Sequence, residues 1–134
     1  TNVVADGFNK GVLWSPDSRK ILFSKRDPAT SKFSLWVVDL ATGQSKNLGV
    51  STLESKAVWT RDSQSIVVAV PTSGTAGEGV TQDTIYKIDV GTGSRTEFTP
   101  GSGMDAQELF LSLDENILFF RNAQDGYLYY LFVQ

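Results

Sequence analysis

At residues 15–24 the chain reads Ser15-Pro16-Asp17-Ser18-Arg19-Lys20-Ile21-Leu22-Phe23-Ser24, a tight polar turn that runs directly into an apolar strand. Altered copies of this stretch follow at Trp59–Val68 and Leu111–Phe120. The aspartates that occupy the same place in each copy lie 45 and then 52 residues apart, at Asp17, Asp62 and Asp114. Self-similarity at intervals of about 40–50 residues, built from short strands and turns, predicts the blades of a β-propeller.

Each copy is followed by the same succession of strands, which predicts antiparallel blades with an inner, a second, a third and an outer strand. For blade 1 (residues 11–50) we expect strands at 11–15, 20–25, 33–40 and 44–50. For blade 2 (residues 57–99) we expect them at 57–60, 65–70, 84–90 and 94–99. Blade 3 (residues 108–133) offers strands at 108–112, 116–121 and 127–133 and lacks an outer strand.

The turns between these strands carry the residues that turns require. Pro16 fixes φ for a type I turn, and the hairpins Asp39–Gly43 and Asp89–Gly93 both end in glycine, which accepts a positive φ. The first turn of blade 3 is one residue shorter than that of blade 1 when it is counted from the aspartate to the first apolar residue of the next strand, which is Asp114 to Ile117 in blade 3 and Asp17 to Ile21 in blade 1. We interpret the repeated aspartates as turn residues that accept hydrogen bonds from nearby amides, rather than as catalytic carboxylates: Asp17, Asp39, Asp62, Asp89 and Asp114.

The start of the chain repeats the end of a blade. Asn2-Val3 precedes Trp14 at the same spacing at which Asn47-Leu48 precedes Trp59. We therefore expect residues 1–4 to form an outer strand that belongs to a neighbouring blade, so that the strands of three whole blades are present with an offset of one strand.

These repeats resemble those of the TolB-like propeller family, which is related to the WD type. The family pattern is an aromatic residue, Ser-Pro-Asp-Gly, two apolar strands of which the second ends in Asp, and then Thr-Gly. Trp14–Ser18, Leu35–Asp39 and Thr42-Gly43 match it closely, whereas blade 2 has Arg61 in place of the proline and blade 3 loses both the proline and Thr-Gly. The resemblance covers nearly the whole chain and implies an all-β propeller. Family members include periplasmic assembly proteins and the gating propellers of serine peptidases, so it also implies an extracytoplasmic location.

Three blades are too few for a closed propeller, because known propellers have about four to eight. An open arc leaves one sheet face uncovered at each end, and burying such a face is worth on the order of 10 kcal/mol at roughly 25 cal/mol per Å². We expect two copies to close a six-bladed ring, with residues 1–4 of each copy completing blade 3 of the other. The alternative is that the chain is a fragment of a larger propeller. Trp14 and Trp59 share one repeat position, so we expect them to pack between blades.

Composition excludes several classes of function. The chain of 134 residues has a net charge of −3 and no concentrated basic surface, so we predict no nucleic-acid binding. It contains neither Cys nor His, which rules out disulfides, a Ser-His-Asp triad and His- or Cys-ligated metals within these residues. No apolar run approaches the roughly 18–20 residues that span a bilayer, so we predict no membrane insertion.

The loops on one face of the propeller supply the candidate binding residues. Long loops on a rigid scaffold often carry function, and the connection Pro71–Asp83 is the longest departure from the repeat, which we interpret first as a flexible insertion. Acidic residues on this face could bind Ca²⁺, but the sequence lacks the Asp-x-Asp-x-Asp spacing, so we predict no metal and no cofactor. The candidate binding residues are Arg26, Asp27, Glu54, Glu78, Asp83 and Asp105, with Met104 beside them.

No acid–base pair stands outside the turns, so we predict no catalytic residue. We expect a non-catalytic propeller that serves as a protein-interaction or assembly module. The alternative is a propeller segment of a larger hydrolase, such as the substrate-gating domain of a serine peptidase.

Overall fold

A computed structural model of the chain describes residues 8–98 and 103–133, and within them the fold is all-β, as predicted. Three antiparallel sheets follow one another along the chain. The sheet of blade 1 contains β1 (Phe8–Trp14), β2 (Lys20–Arg26), β3 (Phe33–Asp39) and β4 (Ser45–Asn47) in sequence order. The inner strand therefore begins before Gly11, and the outer strand is shorter than expected. The expected strand at residues 1–4 lies outside the described residues.

A 3₁₀ helix, Glu54–Lys56, connects blade 1 to blade 2. The sheet of blade 2 contains β5 (Ala57–Trp59), β6 (Ser65–Thr75), β7 (Glu78–Asp89) and β8 (Arg95–Phe98). Blade 3 has three strands within the described residues, β9 (Ala106–Leu111), β10 (Ile117–Asn122) and β11 (Leu128–Phe132), with β10 in the middle. No helix in the described part of the chain is long and apolar enough to cross a membrane.

Alternation along the strands builds two apolar cores, one on each side of blade 2. Side chains that point to opposite faces of a strand reach different neighbours, so a central blade contributes to both cores. Leu22 and Val37 of blade 1 pack against Trp59 and Ile66 of blade 2. On the other face of blade 2, Val67 belongs to the second core, in which the blade 3 members are Ala106, Leu109, Leu118, Phe120, Leu131 and Val133. Blade 2 is thus covered on both faces, while blades 1 and 3 are each covered by another described blade on one face.

The repeated turn has the same length in all three blades, so the expectation of a shorter third turn was wrong. The first residue of the turn donates its amide to the carbonyl five residues later in every copy: Ser15 to Lys20, Thr60 to Ser65 and Ser112 to Ile117. Ile117 therefore corresponds to Lys20, and the apolar residue Leu118 corresponds to Ile21. On the sequence alone, Ile117 aligns with Ile21 as the first apolar residue of the strand. Ile117 in fact occupies the position that is polar in the other two copies, so the turn was counted one residue too short.

The repeated aspartate closes each of these turns, as expected. Asp62 Oδ1 accepts the Thr60 hydroxyl at 2.6 Å and the Gln64 amide at 2.9 Å, and the equivalent bonds recur at Asp17 and Asp114. The hydroxyl bond is the largest cause that lowers the pKa of each of these carboxyls. The next residue has a positive φ in all three copies: Ser18, Ser63 and Glu115. Glycine occupies this place in the Ser-Pro-Asp-Gly pattern.

The segment Pro71–Asp83 is not a flexible insertion. Strands β6 and β7 continue through it and pair as far as Thr75 opposite Glu78, with irregular register around Ser73. The resulting hairpin turns back toward blade 1, where a Cβ at Gly77 would lie 3.3 Å from the Leu53 side chain of the linker and 3.9 Å from the Phe33 ring of β3. Ala76 at the tip is buried. The extra residues lengthen two strands and cover the linker between the blades.

Candidate functional site

The six predicted binding residues separate into an exposed group and a buried group. Arg26, Asp27 and Glu78 are exposed at the hairpins that join second and third strands. Asp83, Asp105 and Glu54 are buried. The structure brings Asp83 and Asp105 together and directs Glu54 toward another blade, as described below.

The buried aspartates meet at Lys56, which sequence reasoning missed. The Lys56 ammonium lies 2.8 Å from Asp83 Oδ2 and 2.6 Å from Asp105 Oδ1, and its side chain is only 1% exposed. Lys56 ends the 3₁₀ helix before blade 2, Asp83 belongs to β7 and Asp105 immediately precedes β9. A lysine is almost never fully buried unless it is paired with an opposite charge. The two carboxylates therefore offset the free-energy cost of burying the Lys56 ammonium. We call these three residues the ion triad.

Hydrogen bonds satisfy the remaining oxygens of the ion triad. Asp83 accepts the Thr81 hydroxyl at 2.7 Å and the Ala106 amide at 2.9 Å. Asp105 Oδ2 accepts the Thr81 amide at 3.2 Å, and its Oδ1 accepts the Gln107 side-chain amide at 2.9 Å. Among the described residues, every buried side-chain nitrogen and oxygen has a partner. A fully satisfied buried network makes the local geometry rigid and unique.

Asp105 remains ionised in this network. Burial opposes its charged form, but the hydrogen bonds from Lys56, Gln107 and the Thr81 amide outweigh burial and lower its pKa below the usual value of 3.8. The carboxylate is therefore poised to hold a cation, not to carry a proton near neutral pH.

Glu54 links the same 3₁₀ helix to blade 1. Its Oε2 accepts the Ser24 hydroxyl of β2 at 2.5 Å. A side chain at Gly11 of β1 would collide with Glu54 Oε1, so glycine leaves the space that the carboxylate occupies. The 3₁₀ helix thus makes polar contacts with blade 1 through Glu54 and with blades 2 and 3 through Lys56.

Asp27 has a structural role in its own hairpin. Its Oδ1 accepts the Ala29 amide at 2.9 Å, and its carbonyl accepts the Ser31 amide at 2.8 Å. The same five-residue turn recurs at Asp39–Gly43, Asp89–Gly93 and Asn122–Gly126. Of the three exposed candidates, Asp27 thus has a structural role. Among the contacts of the described residues, Arg26 and Glu78 form no such turn bond, and they remain the exposed candidates for binding.

The chemistry available to these groups is limited. The carboxylates of the ion triad are enclosed and bonded, and within residues 8–98 and 103–133 no three acidic side chains form a group that could hold a metal ion. The ion triad therefore stabilises the contact between blades 2 and 3. Binding of a partner must use the exposed surface instead.

The faces of blades 1 and 3 that are turned away from blade 2 form the second candidate site. On blade 3, the face turned away from blade 2 presents a sheet of apolar side chains that we call the blade 3 end face: Phe110, Ile117, Phe119, Leu128, Tyr130 and Phe132. Phe110 and Phe119 stack at 5.0 Å between ring centroids, and Tyr130 is 61% exposed. Exposed apolar patches of this kind mark interaction surfaces.

Blade 1 presents the corresponding surface at the other end of the arc. The residues on its face turned away from blade 2, the blade 1 end face, are Val12, Trp14, Ile21, Phe23, Trp36 and Val38, of which Ile21, Phe23 and Val38 are buried. Trp14 is 51% exposed, whereas Trp59 at the same repeat position is 6% exposed. Trp59 also donates its indole N–H to the Leu13 carbonyl of blade 1 at 3.0 Å. The expectation that these tryptophans pack between blades holds for Trp59, and Trp14 has no preceding blade within the described residues.

Comparison with known proteins supports the architecture. No protein-family model matches the chain, and no curated protein matches it. Among solved structures, TolB from Acinetobacter baumannii is 20% identical with a TM-score of 0.56 over 88% of the chain. The propeller domain of the Trilobed protease from Pyrococcus furiosus, described as having an open velcro topology, is 16% identical with a TM-score of 0.60 over 96%. Acylaminoacyl peptidase from Pyrococcus horikoshii is 14% identical with a TM-score of 0.58 over 96%.

The chain spans less than half of each of these proteins: 31% of the TolB, 41% of the protease propeller domain and 26% of the peptidase. At such identities the similarity establishes the fold and nothing further. The expected resemblance to TolB-like propellers is thereby confirmed at the level of the fold, and the chain has the architecture of consecutive blades of a β-propeller.

Proposed function

We propose that this chain is a non-catalytic β-propeller module that binds other proteins and serves in their assembly. The observation that carries the proposal is the blade 3 end face, where the exposed apolar side chains are Phe110, Leu128, Tyr130 and Phe132. Leaving such surfaces in water is costly, at roughly 25 cal/mol per Å² of apolar area, so association through them is strongly favoured.

The non-catalytic part of the proposal rests on where the carboxylates lie. Asp83 and Asp105 are held by Lys56, and the aspartates of the repeated turns accept backbone amides. The sequence supplies no His or Cys that could act as a general base or a nucleophile beside them. The resemblance to the TolB-like family supports an extracytoplasmic location, which we include in the proposal.

Size-exclusion chromatography with light scattering, applied to the endogenous protein in native extract and to the purified chain, tests this function. We expect the chain in a defined protein complex and no turnover of ester, peptide or glycoside substrates above buffer. Migration of the chain alone at 14.6 kDa in both samples would contradict the proposal. So would hydrolysis that copurifies with the chain and disappears on a point substitution within it.

The exposed hairpin residues define a second binding surface that can be tested separately. Charge reversal by Arg26→Glu together with Glu78→Lys should leave thermal unfolding unchanged, because both side chains are exposed. Loss of a bound protein in this variant would assign the partner to the hairpin face. Retention of the partner would assign it to the end faces.

A propeller segment of a larger hydrolase is the second candidate. It is favoured by the match to the Pyrococcus horikoshii acylaminoacyl peptidase, which covers 96% of this chain but only 26% of the peptidase. Intact-mass measurement of the native gene product tests it. A product long enough to contain a peptidase domain in addition to the propeller supports this candidate, and a product of 14.6 kDa contradicts it.

A further inference from the structure

We propose that a groove between blades 1 and 2 binds a small organic carboxylate, which the ammonium groups of Lys20 and Lys46 hold. The groove lies between the third and outer strands of blade 1 and the turn Val90–Gly91 of blade 2, and we call it the blade 1–2 groove. The inference goes beyond the proposed protein-binding function and does not depend on it, because it concerns a seam between two neighbouring blades and not an end face.

The blade 1–2 groove has an apolar floor and the size of a small ligand. Val37 and Val90 form its floor, and both belong to the apolar core between these two blades. Its volume is about 250 Å³. Sites for drug-sized ligands measure about 300–1,000 Å³, so the blade 1–2 groove suits a smaller molecule.

The register of the strands places both lysines on the face of blade 1 that meets blade 2. Lys46 of β4 is the cross-strand partner of Val37. Lys20 stands two residues before Leu22, which is the partner of Val37 on its other side. Residues two positions apart share a face of a strand, and Leu22 and Val37 pack in the core between blades 1 and 2. The charged ends of both lysines therefore lie at the edge of that core, where they line the groove.

Contacts with blade 2 fix the positions of the two ammonium groups. Lys20 Nζ donates to the Ser63 carbonyl at 3.2 Å, and Lys46 Nζ donates to the Gly91 carbonyl at 2.9 Å. The two acceptors lie in turns of blade 2 that a backbone hydrogen bond of 3.0 Å joins, one residue away from each of them. Cations that are already held in place lose less freedom when a ligand binds, which favours affinity.

Each ammonium group keeps donors that a ligand can use. A lysine ammonium has three N–H donors, and the hydrogen bonds to blade 2 use one from each side chain. Neither ammonium forms an ion pair with a carboxylate in the part of the chain that the structure describes. A bound carboxylate would therefore meet two cations without ion-pair partners and form charge-assisted hydrogen bonds with both.

The two lysines depart from the repeat and are not required by the fold. Ser65 stands in blade 2 where blade 1 has Lys20, since each pairs with the aspartate that ends the third strand. Thr96 stands where blade 1 has Lys46, since the partner of each lies two residues before that aspartate. The repeated turn closes through the same backbone hydrogen bond in both blades. A blade of this kind thus forms without either lysine.

Asp39 limits the charge that the groove accepts. It is the cross-strand partner of Lys20 and lines the groove, and its Oδ1 accepts the Ala41 amide at 2.9 Å. Together with Lys46, these groups give the lining two positive charges and one negative charge. A monocarboxylate neutralises the excess, whereas a doubly charged phosphate would leave an excess of negative charge beside Asp39.

The rim of the groove offers partners for hydroxyl groups. Thr42, Gln44 and Ser45 line the opening and are exposed, and their side chains both donate and accept hydrogen bonds. A short hydroxylated chain with one carboxylate therefore matches the rim and the lysines together. Gluconate is the probe with this chemistry. Sorbitol has the same hydroxylated chain without the charge and is its neutral counterpart.

NMR titration of the isotope-labelled chain tests the site. We expect gluconate to shift the amide resonances of Val90 and Gly91 saturably and sorbitol to leave them unchanged. Lys20→Met and Lys46→Met should each weaken gluconate binding about tenfold, because each removes a charge-assisted hydrogen bond. Lys87→Met is the matched control and should bind as the wild type does, since Lys87 is exposed on the face of blade 2 turned away from blade 1.

Other results of this titration would overturn the inference. A wild-type chain whose Val90 and Gly91 resonances do not respond to gluconate has no such site. Equal weakening by Lys87→Met would show attraction by the general charge of the surface. Tighter binding of inorganic phosphate than of gluconate would reject an organic carboxylate as the ligand. Each of these results leaves the proposed protein-binding function standing.

Asp39→Asn tests the charge of the lining. The variant keeps an oxygen that accepts the Ala41 amide and removes the negative charge. We expect gluconate to bind about fivefold more tightly at low salt, and phosphate about 25-fold, because twice the charge gains twice the Coulomb energy. The comparison is made at about pH 8, where phosphate is doubly charged. Equal gains for the two anions, or none, would contradict the role of Asp39.

A charge-preserving variant separates binding from folding. Lys20 and Lys46 also join the two blades, so thermal unfolding of their methionine variants is measured first. Lys46→Arg retains the cation and should bind gluconate more tightly than Lys46→Met when both are folded. Equal affinity of these two variants would show that the charge plays no part in binding, and the inference would fail.

Discussion

Lys56 donates from its buried ammonium to Asp105 Oδ1 at 2.6 Å, and this contact joins the linker before blade 2 to the segment that leads into blade 3. Asp83 of β7 completes the ion triad on the other side of the same ammonium. The interface between blades 2 and 3 therefore contains a buried ionic network beside its apolar core. The contribution of this network to the free energy of unfolding can be measured directly.

Lys56→Met keeps most of the volume of the side chain and removes its charge. Two buried carboxylates would then lose their cation, so we expect the free energy of unfolding to fall by about 3–5 kcal/mol, measured by denaturant titration. Lys46→Met is the matched control, since the Lys46 ammonium reaches the Gly91 carbonyl at an exposed site, and it should cost less than about 1 kcal/mol. Similar costs for the two variants would show that the ion triad contributes little.

Acid should weaken the folded state through Asp105. Burial opposes its ionisation but hydrogen bonding lowers its pKa, so its stabilising contribution is complete above the unfolded value of 3.8 and is lost as the pH falls through the lower folded value. We expect the unfolding free energy of Asp105→Asn to depend less on pH than that of the wild type between about pH 5 and pH 2. The cost of Lys56→Met should also shrink over this interval, because a protonated carboxyl needs no cation. A cost that grows on acidification would refute the proposed charge state.

Ser31 occupies a turn position at which the equivalent residue elsewhere is glycine. Its φ is +61°, and the equivalent Gly43, Gly93 and Gly126 have φ between +72° and +79°. Ser31→Gly should raise the free energy of unfolding by about 0.5 kcal/mol, because the left-handed conformation costs a non-glycine residue more than glycine loses in the unfolded chain. Gly43→Ser is the reciprocal control, and no atom lies within 4 Å of its added Cβ, so backbone conformation alone should lower its stability. Thermal unfolding of both variants checks the opposite signs.

Gly11 and Glu54 should show energetic coupling. An alanine at Gly11 would displace the Glu54 carboxylate from its hydrogen bond with Ser24, and we expect a cost of about 1–3 kcal/mol. In the Glu54→Ala background the collision is absent, so the same substitution should cost much less. Gly91→Ala is a control at an exposed glycine without a positive φ. Additive effects at Gly11 and Glu54 would show that the close approach carries no penalty.

Local signals in the sequence identified the blades and most turns. The Asp17 turn and its copies close within five residues through their own hydroxyl, carboxylate and amides, so their structure depends little on the remainder of the chain. The same locality explains why the repeated aspartates are recognisable as turn residues, whereas Asp27, which the sequence suggested as a binding residue, was found to close a local turn only in the structure. The error in the third turn arose because Ile117 is apolar where the other copies carry Lys20 and Ser65.

No local pattern in the sequence predicted that Lys56 would be buried between two aspartates. Lysine is ordinarily exposed, and its partners Asp83 and Asp105 lie 27 and 49 residues further along the chain. The one available hint was position, since Lys56 stands immediately before a buried inner strand. The extended hairpin of blade 2 was likewise obscured by its three glycines, which suggested flexibility although cross-strand pairing orders the segment.

By itself the sequence determined the repeat, the all-β architecture and the turns, because alternating apolar residues and short-range hydrogen bonds act over a few positions. Only the tertiary structure decided which acids are buried beside a cation, that Pro71–Asp83 is paired, and that Trp59 is covered while Trp14 is not. These properties depend on neighbours contributed by other blades. Burial and charge pairing are consequences of packing between distant segments, which no local pattern specifies.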